Sequence, residues 1–337
     1  MEMMTVTLTA WSVAFVTAAL CQQGPGHLAF VSSRDGNPEI CVVQGDGTGL
    51  RRLTRNPAED TNPIWSPDGS TIAFVTDRDG NQEIYLMSAV GAGERNVTNS
   101  QAFESNPCWS PDGHHLLFVT DRDGNSEVYV CRSDGSDARN VSNHPAWDGS
   151  PVWLPTGASI AYVTDREQNQ EIIVGSLDGS GARNVTAHEA WDADPRFSPD
   201  GKFLAFRTHR DGNIGVYLCE LASLGLTNVA QNEVWNEEPD WSPDGGKLAY
   251  GSSPAGNREI IVADLASGAR ANISNHAANE WAPRWSPEGG KIAFLSDRDG
   301  GIRLYVMNAD GSEVKEVGGG EVLDNSHAWR PTAGNGQ

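Results

Sequence analysis

Trp65-Ser66-Pro67-Asp68 returns as Trp109-Ser-Pro-Asp, Trp153-Leu-Pro-Thr, Phe197-Ser-Pro-Asp, Trp241-Ser-Pro-Asp, Trp285-Ser-Pro-Glu and Trp329-Arg-Pro-Thr, each 44 residues after the last. An apolar triplet keeps the same period: Leu28-Ala-Phe30, Ile72-Ala-Phe74, Leu116-Leu-Phe118, Ile160-Ala-Tyr162, Leu204-Ala-Phe206, Leu248-Ala-Tyr250 and Ile292-Ala-Phe294. Seven copies without an insertion or deletion override any domain count drawn from the length of 337 residues.

Within one unit, Pro63-Ile-Trp65-Ser-Pro reads as a strand, Asp68-Gly69 as a tight turn and Thr71 to Thr76 as a second strand. Asp77-Arg-Asp-Gly-Asn81 reads as a hairpin loop, Glu83 to Met87 as a third strand and Arg95 to Thr98 as a fourth. Four short strands per repeat of this length predict an all-β fold, a seven-bladed β-propeller of four-stranded antiparallel blades. One blade exposes both faces of its sheet, so the seven must pack face to face around an axis. The first unit has no Trp-Ser-Pro strand near Cys21, whereas His327-Ala-Trp329-Arg-Pro331 follows the last unit. This predicts that the C-terminal segment supplies the innermost strand of blade one and closes the ring, removing open sheet edges. The expected organisation is a leader over 1–24, the propeller over 25–331 and a tail over 332–337.

The repeat resembles the TolB-type propeller unit, whose signature is Pro-x-Trp-Ser-Pro-Asp-Gly, Ile-Ala-Phe, then Ser/Thr-Asp-Arg-Asp-Gly and an Ile-Tyr strand. The resemblance covers about residues 25 to 331. Such blades occur in TolB, in surface and secreted proteins, and in domains attached to peptidases and lyases. The TolB propeller has six blades and follows an α/β domain, so a Tol–Pal envelope role is implied by similarity alone.

With 24 Lys+Arg against 45 Asp+Glu, the net charge of −21 argues against nucleic acid as the partner. Val6 to Val16 lie in an apolar stretch long enough for a signal-peptide core and short for a membrane span, although Glu2 and the lack of Lys or Arg make its start atypical. Export to the periplasm or the extracellular space is the expectation, with a disordered leader on a cytoplasmic protein as the alternative. The five cysteines, Cys21, Cys41, Cys108, Cys131 and Cys219, show no Cys-x-x-Cys pair and read as apolar substitutes rather than a disulfide framework.

Five residues before each key aromatic stand Asp60, Glu104, Asp148, Asp192, Asn236, Glu280 and Asp324, and one residue earlier come Phe103, Trp147, Trp191 and Trp235. These are expected in the loops between blades, on the face where the Asp-Arg-Asp-Gly hairpins open. They form the candidate binding site: an acidic, aromatic rim for a protein or peptide ligand. A bare ring of carboxylates about 8 Å apart would repel by roughly 0.5–2 kcal/mol per pair. The competing reading therefore fastens each acid to backbone amides or to Arg34, Arg78, Arg122, Arg166, Arg210 or Arg298 of the hairpins.

The hairpins contain part of a calcium-loop pattern but lack the spacing of an EF-hand, so calcium is the secondary reading to an Asx-type turn, and no cofactor is expected. His144, His188 and His276 share a register, and His209 opens a hairpin. A His cluster of that kind would serve a metal-dependent propeller lyase acting on an acidic saccharide, the alternative function. There is no Gly-x-Ser-x-Gly elbow for a peptidase. Asn96-Val-Thr98, Asn140-Val-Ser142, Asn184-Val-Thr186 and Asn272-Ile-Ser274 match the glycosylation sequon at one place in the repeat, which inheritance of the unit explains. The reading is a monomeric, non-catalytic propeller serving as a binding platform, not membrane-spanning.

Overall fold

The computed structural model describes residues 26–231, 234–254, 256–323 and 326–332. They form seven four-stranded antiparallel sheets and no helix. Blade two shows the unit: an inner strand Asp60–Trp65, then Thr71–Thr76, Glu83–Ser88 and a short outer strand Arg95–Asn96. The other full inner strands are Glu104–Trp109, Asp148–Trp153, Asp192–Phe197, Asn236–Trp241 and Glu280–Trp285.

Alternation along each strand divides the apolar residues between two interfaces. Ile72 and Phe74 pack with Val31, Ile40 and Val42 of blade one, while Ala73 turns toward Leu116, Phe118 and Tyr129 of blade three. A large face thus meets a small one at each junction. A fully buried side chain such as Phe74 or Ile72 stabilises by roughly 1.5–3 kcal/mol. The repeated Trp sits at the end of the inner strand and reaches back one blade. Trp65 Nε1 donates to the Ala328 carbonyl at 3.2 Å, Trp153 to Cys108 at 3.2 Å, Trp241 to Arg196 at 3.1 Å and Trp329 to Arg284 at 3.0 Å. Trp109 is only half-buried and its Nε1 has no acceptor.

The ring closes as expected: Ala328–Trp329 pairs with His27–Ser32, setting Leu28 opposite Trp329. Space for the Trp329 ring comes from Gly45, where a Cβ would lie 2.7 Å from the indole. The closure is fastened again where Ser32 bridges Val322 and Ser32 Oγ donates to the Glu321 carbonyl at 3.0 Å. Cys41, Cys108, Cys131 and Cys219 are free thiols. The leader, Cys21 and all of the tail but Thr332 lie outside the described residues.

Candidate functional site

Each of the six full inner strands carries a bulge, between Thr61 and Ile64 in blade two and at the same place in the next five blades. Its third residue takes a positive φ: Asn62 51°, Asn106 52°, Ser150 50°, Asp194 54°, Glu238 54° and Ala282 53°. The extra residue breaks the simple alternation, so Asp60 and Trp65 both share a face with Thr76, Phe74 and Ile72. This corrects the expected placement of the acidic row: Asp60, Glu104, Asp148, Asp192, Asn236 and Glu280 begin the inner strands and are 0% exposed, whereas Asp324 lies outside the described residues.

Hairpin arginines meet the carboxylates. Arg78 Nη2 lies 3.0 Å from Asp60, Arg122 3.0 Å from Glu104, Arg166 3.1 Å from Asp148, Arg210 3.1 Å from Asp192 and Arg298 3.0 Å from Glu280. Most of these guanidinium groups also cover two rings, as Arg78 covers Phe74 and Tyr85 at 5.5 and 4.6 Å. In blade six the hairpin has Pro254 where the arginine stands elsewhere, and Asn236 replaces the acid. Its amide donates to the Val234 and Ile214 carbonyls at 2.7 and 3.2 Å. A buried carboxylate without its arginine would be strongly destabilising, which accounts for the neutral residue there.

A second acidic row, unread in the sequence, lies beneath the first. Glu39, Glu83, Glu127, Glu171 and Glu259 are buried at the start of the third strands. They accept from the hydroxyls of Thr54, Thr98, Ser142, Thr186 and Ser274. Four of those hydroxyls belong to the sequons, whose role here is to fasten the blade junction. Burial, and then the hydrogen-bonded carboxyl of Glu83, push Glu104 up to about 7. Burial likewise raises Asp148, Asp192 and Glu280.

The hairpin side chains are also committed to the fold. Asp79 accepts from Tyr85 and Asn96, and Asn81 donates to the Ser100 and Ala102 carbonyls. His144, His188 and His276 each accept through Nδ1 from their own loop, at Ala146, Ala190 and Ala278. Among the described residues no three His, Cys, Asp or Glu side chains are grouped to hold a metal.

The surface of this face belongs to the loop tips. Phe103, Trp147 and Trp235 are 50%, 38% and 48% exposed. Trp191 is half-buried, stacked on His209 at 6.2 Å under the guanidinium of Arg207. The backbone of two tips is held by hairpin carboxylates, Phe103 N donating to Asp121 and Trp147 N to Asp165, both at 2.8 Å, and the Trp235 indole N–H donates to Glu237 at 2.8 Å. Leu323, 47% exposed, occupies the same register and was missed, since an aliphatic residue breaks the aromatic pattern. Asp121, Asp165 and Glu189 are exposed nearby in the chain, so the surface acids are hairpin and loop residues rather than the inner-strand row.

Around the axis the inner strands differ from one side to the other. The penultimate position holds Ile64, Cys108 and Val152 in blades two to four, then Arg196, Asp240 and Arg284 in blades five to seven. Asp194 pairs with Arg207 at 2.8 Å and Glu237 with Arg258 at 3.2 Å. Burial and then the neighbouring Arg284 hold His327 neutral, with its pKa pushed down to about 3.

The family model of the TolB beta propeller domain matches residues 22–102, 92–231 and 193–335. The chain belongs to that family. It is 44% identical over 50 residues to the Tol-Pal system protein TolB of Geobacter sulfurreducens, a match spanning 14% of this chain and 12% of that protein. The TolB-like propeller also superposes on the structure of TolB from Agrobacterium tumefaciens with a TM-score of 0.55 and 27% identity, covering 67% of this chain and 84% of that one. An oligogalacturonate lyase in complex with manganese shares the fold, with a TM-score of 0.67 and 16% identity over 83% of this chain and 85% of that one. No helix among the described residues is long and apolar enough to cross a membrane.

Proposed function

We propose that this TolB-like propeller is a monomeric, non-catalytic binding platform, exported to the cell envelope, that captures a protein or peptide on its hairpin face. The observation that carries the reading is the row of aromatic tips from four successive junctions, with Phe103, Trp147 and Trp235 exposed and Trp191 half-buried among them. Exposed aromatics together are uncommon on a soluble surface and supply most of the energy where partners dock. The exposed acids beside them, on a chain of net charge −21, favour a basic or amphipathic segment. The Tol-Pal name of the relative supports an envelope setting.

Replacing Trp147, Trp191 and Trp235 together by Ala should abolish capture of the partner from an envelope extract while the circular dichroism spectrum and melting temperature stay near wild type. Wild-type capture should weaken as salt rises. Undiminished capture by the folded triple variant would move the site elsewhere, and turnover of oligogalacturonate with manganese would contradict the non-catalytic reading.

A further inference from the structure

Blade one departs from the repeat at its outer strand, Arg51–Arg52. In the next five blades the position of Arg52 is Asn96, Asn140, Asn184, Asn228 and Asn272. Each of these side chains accepts from the backbone N–H three residues on, at Asn99, Asn143, Ala187, Gln231 and Asn275, all of which have positive φ. That Asx-type turn is gone in blade one, where the corresponding residue is Arg55, and Arg55 has no positive φ. In its place a groove of about 910 Å³ opens between blades one and two, lined by Arg34, Arg51, Arg52 and Arg55 over Leu50 and Val90, with Asp35 and Glu94 as its carboxylates.

Two of the four arginines have structural duties. Arg52 pairs with Asp35 and the buried Glu39, and Arg34, in the register of the hairpin arginines, lies 3.9 Å from Asp35 and donates to Cys41 Sγ at 3.7 Å. Arg51 and Arg55 are different. The equivalents of Arg51 in the next three blades, Arg95, Arg139 and Arg183, donate to the carbonyls of Ser133, Leu177 and Leu221. Neither Arg51 nor Arg55 makes a side-chain hydrogen bond or ion pair among the described residues, and Arg51 Nη2 is buried without an acceptor. Glu94 is itself engaged by Arg78.

We propose that this groove binds a phosphate-type oxyanion. One guanidinium fork saturates the two oxygens of a carboxylate, whereas two unengaged forks suit an anion with more acceptor oxygens. A net positive groove on a chain of net charge −21 concentrates anions that the rest of the surface repels. The apolar floor at Leu50 and Val90, the latter 44% exposed, would take the body of a phosphate ester. The site lies apart from the aromatic tips and does not rest on the peptide-binding reading.

Titration with inorganic pyrophosphate at low salt, followed by calorimetry, tests the proposal. The expected result is saturable binding that weakens with added salt and falls roughly ten-fold or more in Arg51→Gln and in Arg55→Gln. The control Arg95→Gln, in the equivalent position of blade two, should bind as wild type. Since Arg51 and Arg55 hold no bond in the fold, both variants should melt near wild type, which separates lost binding from lost structure. Absence of saturable binding, equal binding by the Arg51→Gln/Arg55→Gln double variant, or an equal loss in Arg95→Gln would overturn the proposal. Co-sedimentation with phosphatidylglycerol vesicles that the double variant loses would place the oxyanion on a lipid headgroup. Pyrophosphate binding without co-sedimentation would place it on a soluble ester.

Discussion

Glu104 faces Glu83 across the junction of blades two and three, and Ser100, Thr120 and Arg122 already serve its other oxygen. Glu104 Oε2 has no donor in reach, so a proton there, given to Glu83, satisfies both acids. In the unfolded chain a glutamate ionises near 4.3. Between that value and the folded value of about 7 the native state therefore holds a proton that the unfolded state has released. The resulting stability is full below the unfolded pKa and is lost as pH rises through about 7. Thermal melts of Glu104→Gln, whose amide can donate permanently to Glu83, should show a smaller fall in melting temperature between roughly pH 5 and pH 8 than wild type. An unchanged slope would mean that the pair shares no proton.

The inner strand has a buried end, a bulge and an exposed loop leading into it, and substitutions should divide along those lines. Trp153 is 8% exposed and bonded to the preceding blade, so Trp153→Ala should destabilise by roughly 3–5 kcal/mol in a denaturant melt. Trp147→Ala, six residues earlier, removes an exposed ring and should cost no more than about 0.5 kcal/mol. Equal losses would contradict the division between core and tip. The strands themselves were legible because Trp-Ser-Pro-Asp, the apolar triplets and the Asp-Gly turns are local signals repeated in register. The burial of Asp60 and its row was not, because the acids precede the Trp-Ser-Pro signal and read as loop residues, and the bulge that brings them into the strand takes its positive φ at non-glycine residues. A clue lay in the sequence nonetheless: the hairpin arginine and the inner-strand acid, 18 residues apart, are lost together at Pro254 and Asn236. The row at Glu83 was hidden because its partners, Thr98 and its equivalents, read as sequons.

At the scale of the molecule, each blade depends on the two beside it, and the pairing of Ala328–Trp329 with His27–Ser32, with the Ser32–Val322 bridge beside it, carries the C-terminal segment into blade one and makes the ring continuous. Deleting residues 325–337 should uncover the edge of blade one and the cavity over Gly45, lowering the melting temperature far more than trimming 333–337 alone. Equal melting temperatures would refute closure by that strand. Closure of the ring also leaves two faces with different chemistry, and only the hairpin face carries the row of aromatic tips. The most direct test places a photo-crosslinking amino acid at Trp147 or Trp235, and in parallel at Pro111 in the turn of the opposite face, and irradiates the folded protein in an envelope extract. A crosslinked basic or amphipathic segment is expected from positions 147 and 235 and none from 111. Crosslinks from position 111 with none from the tips would contradict the proposed site.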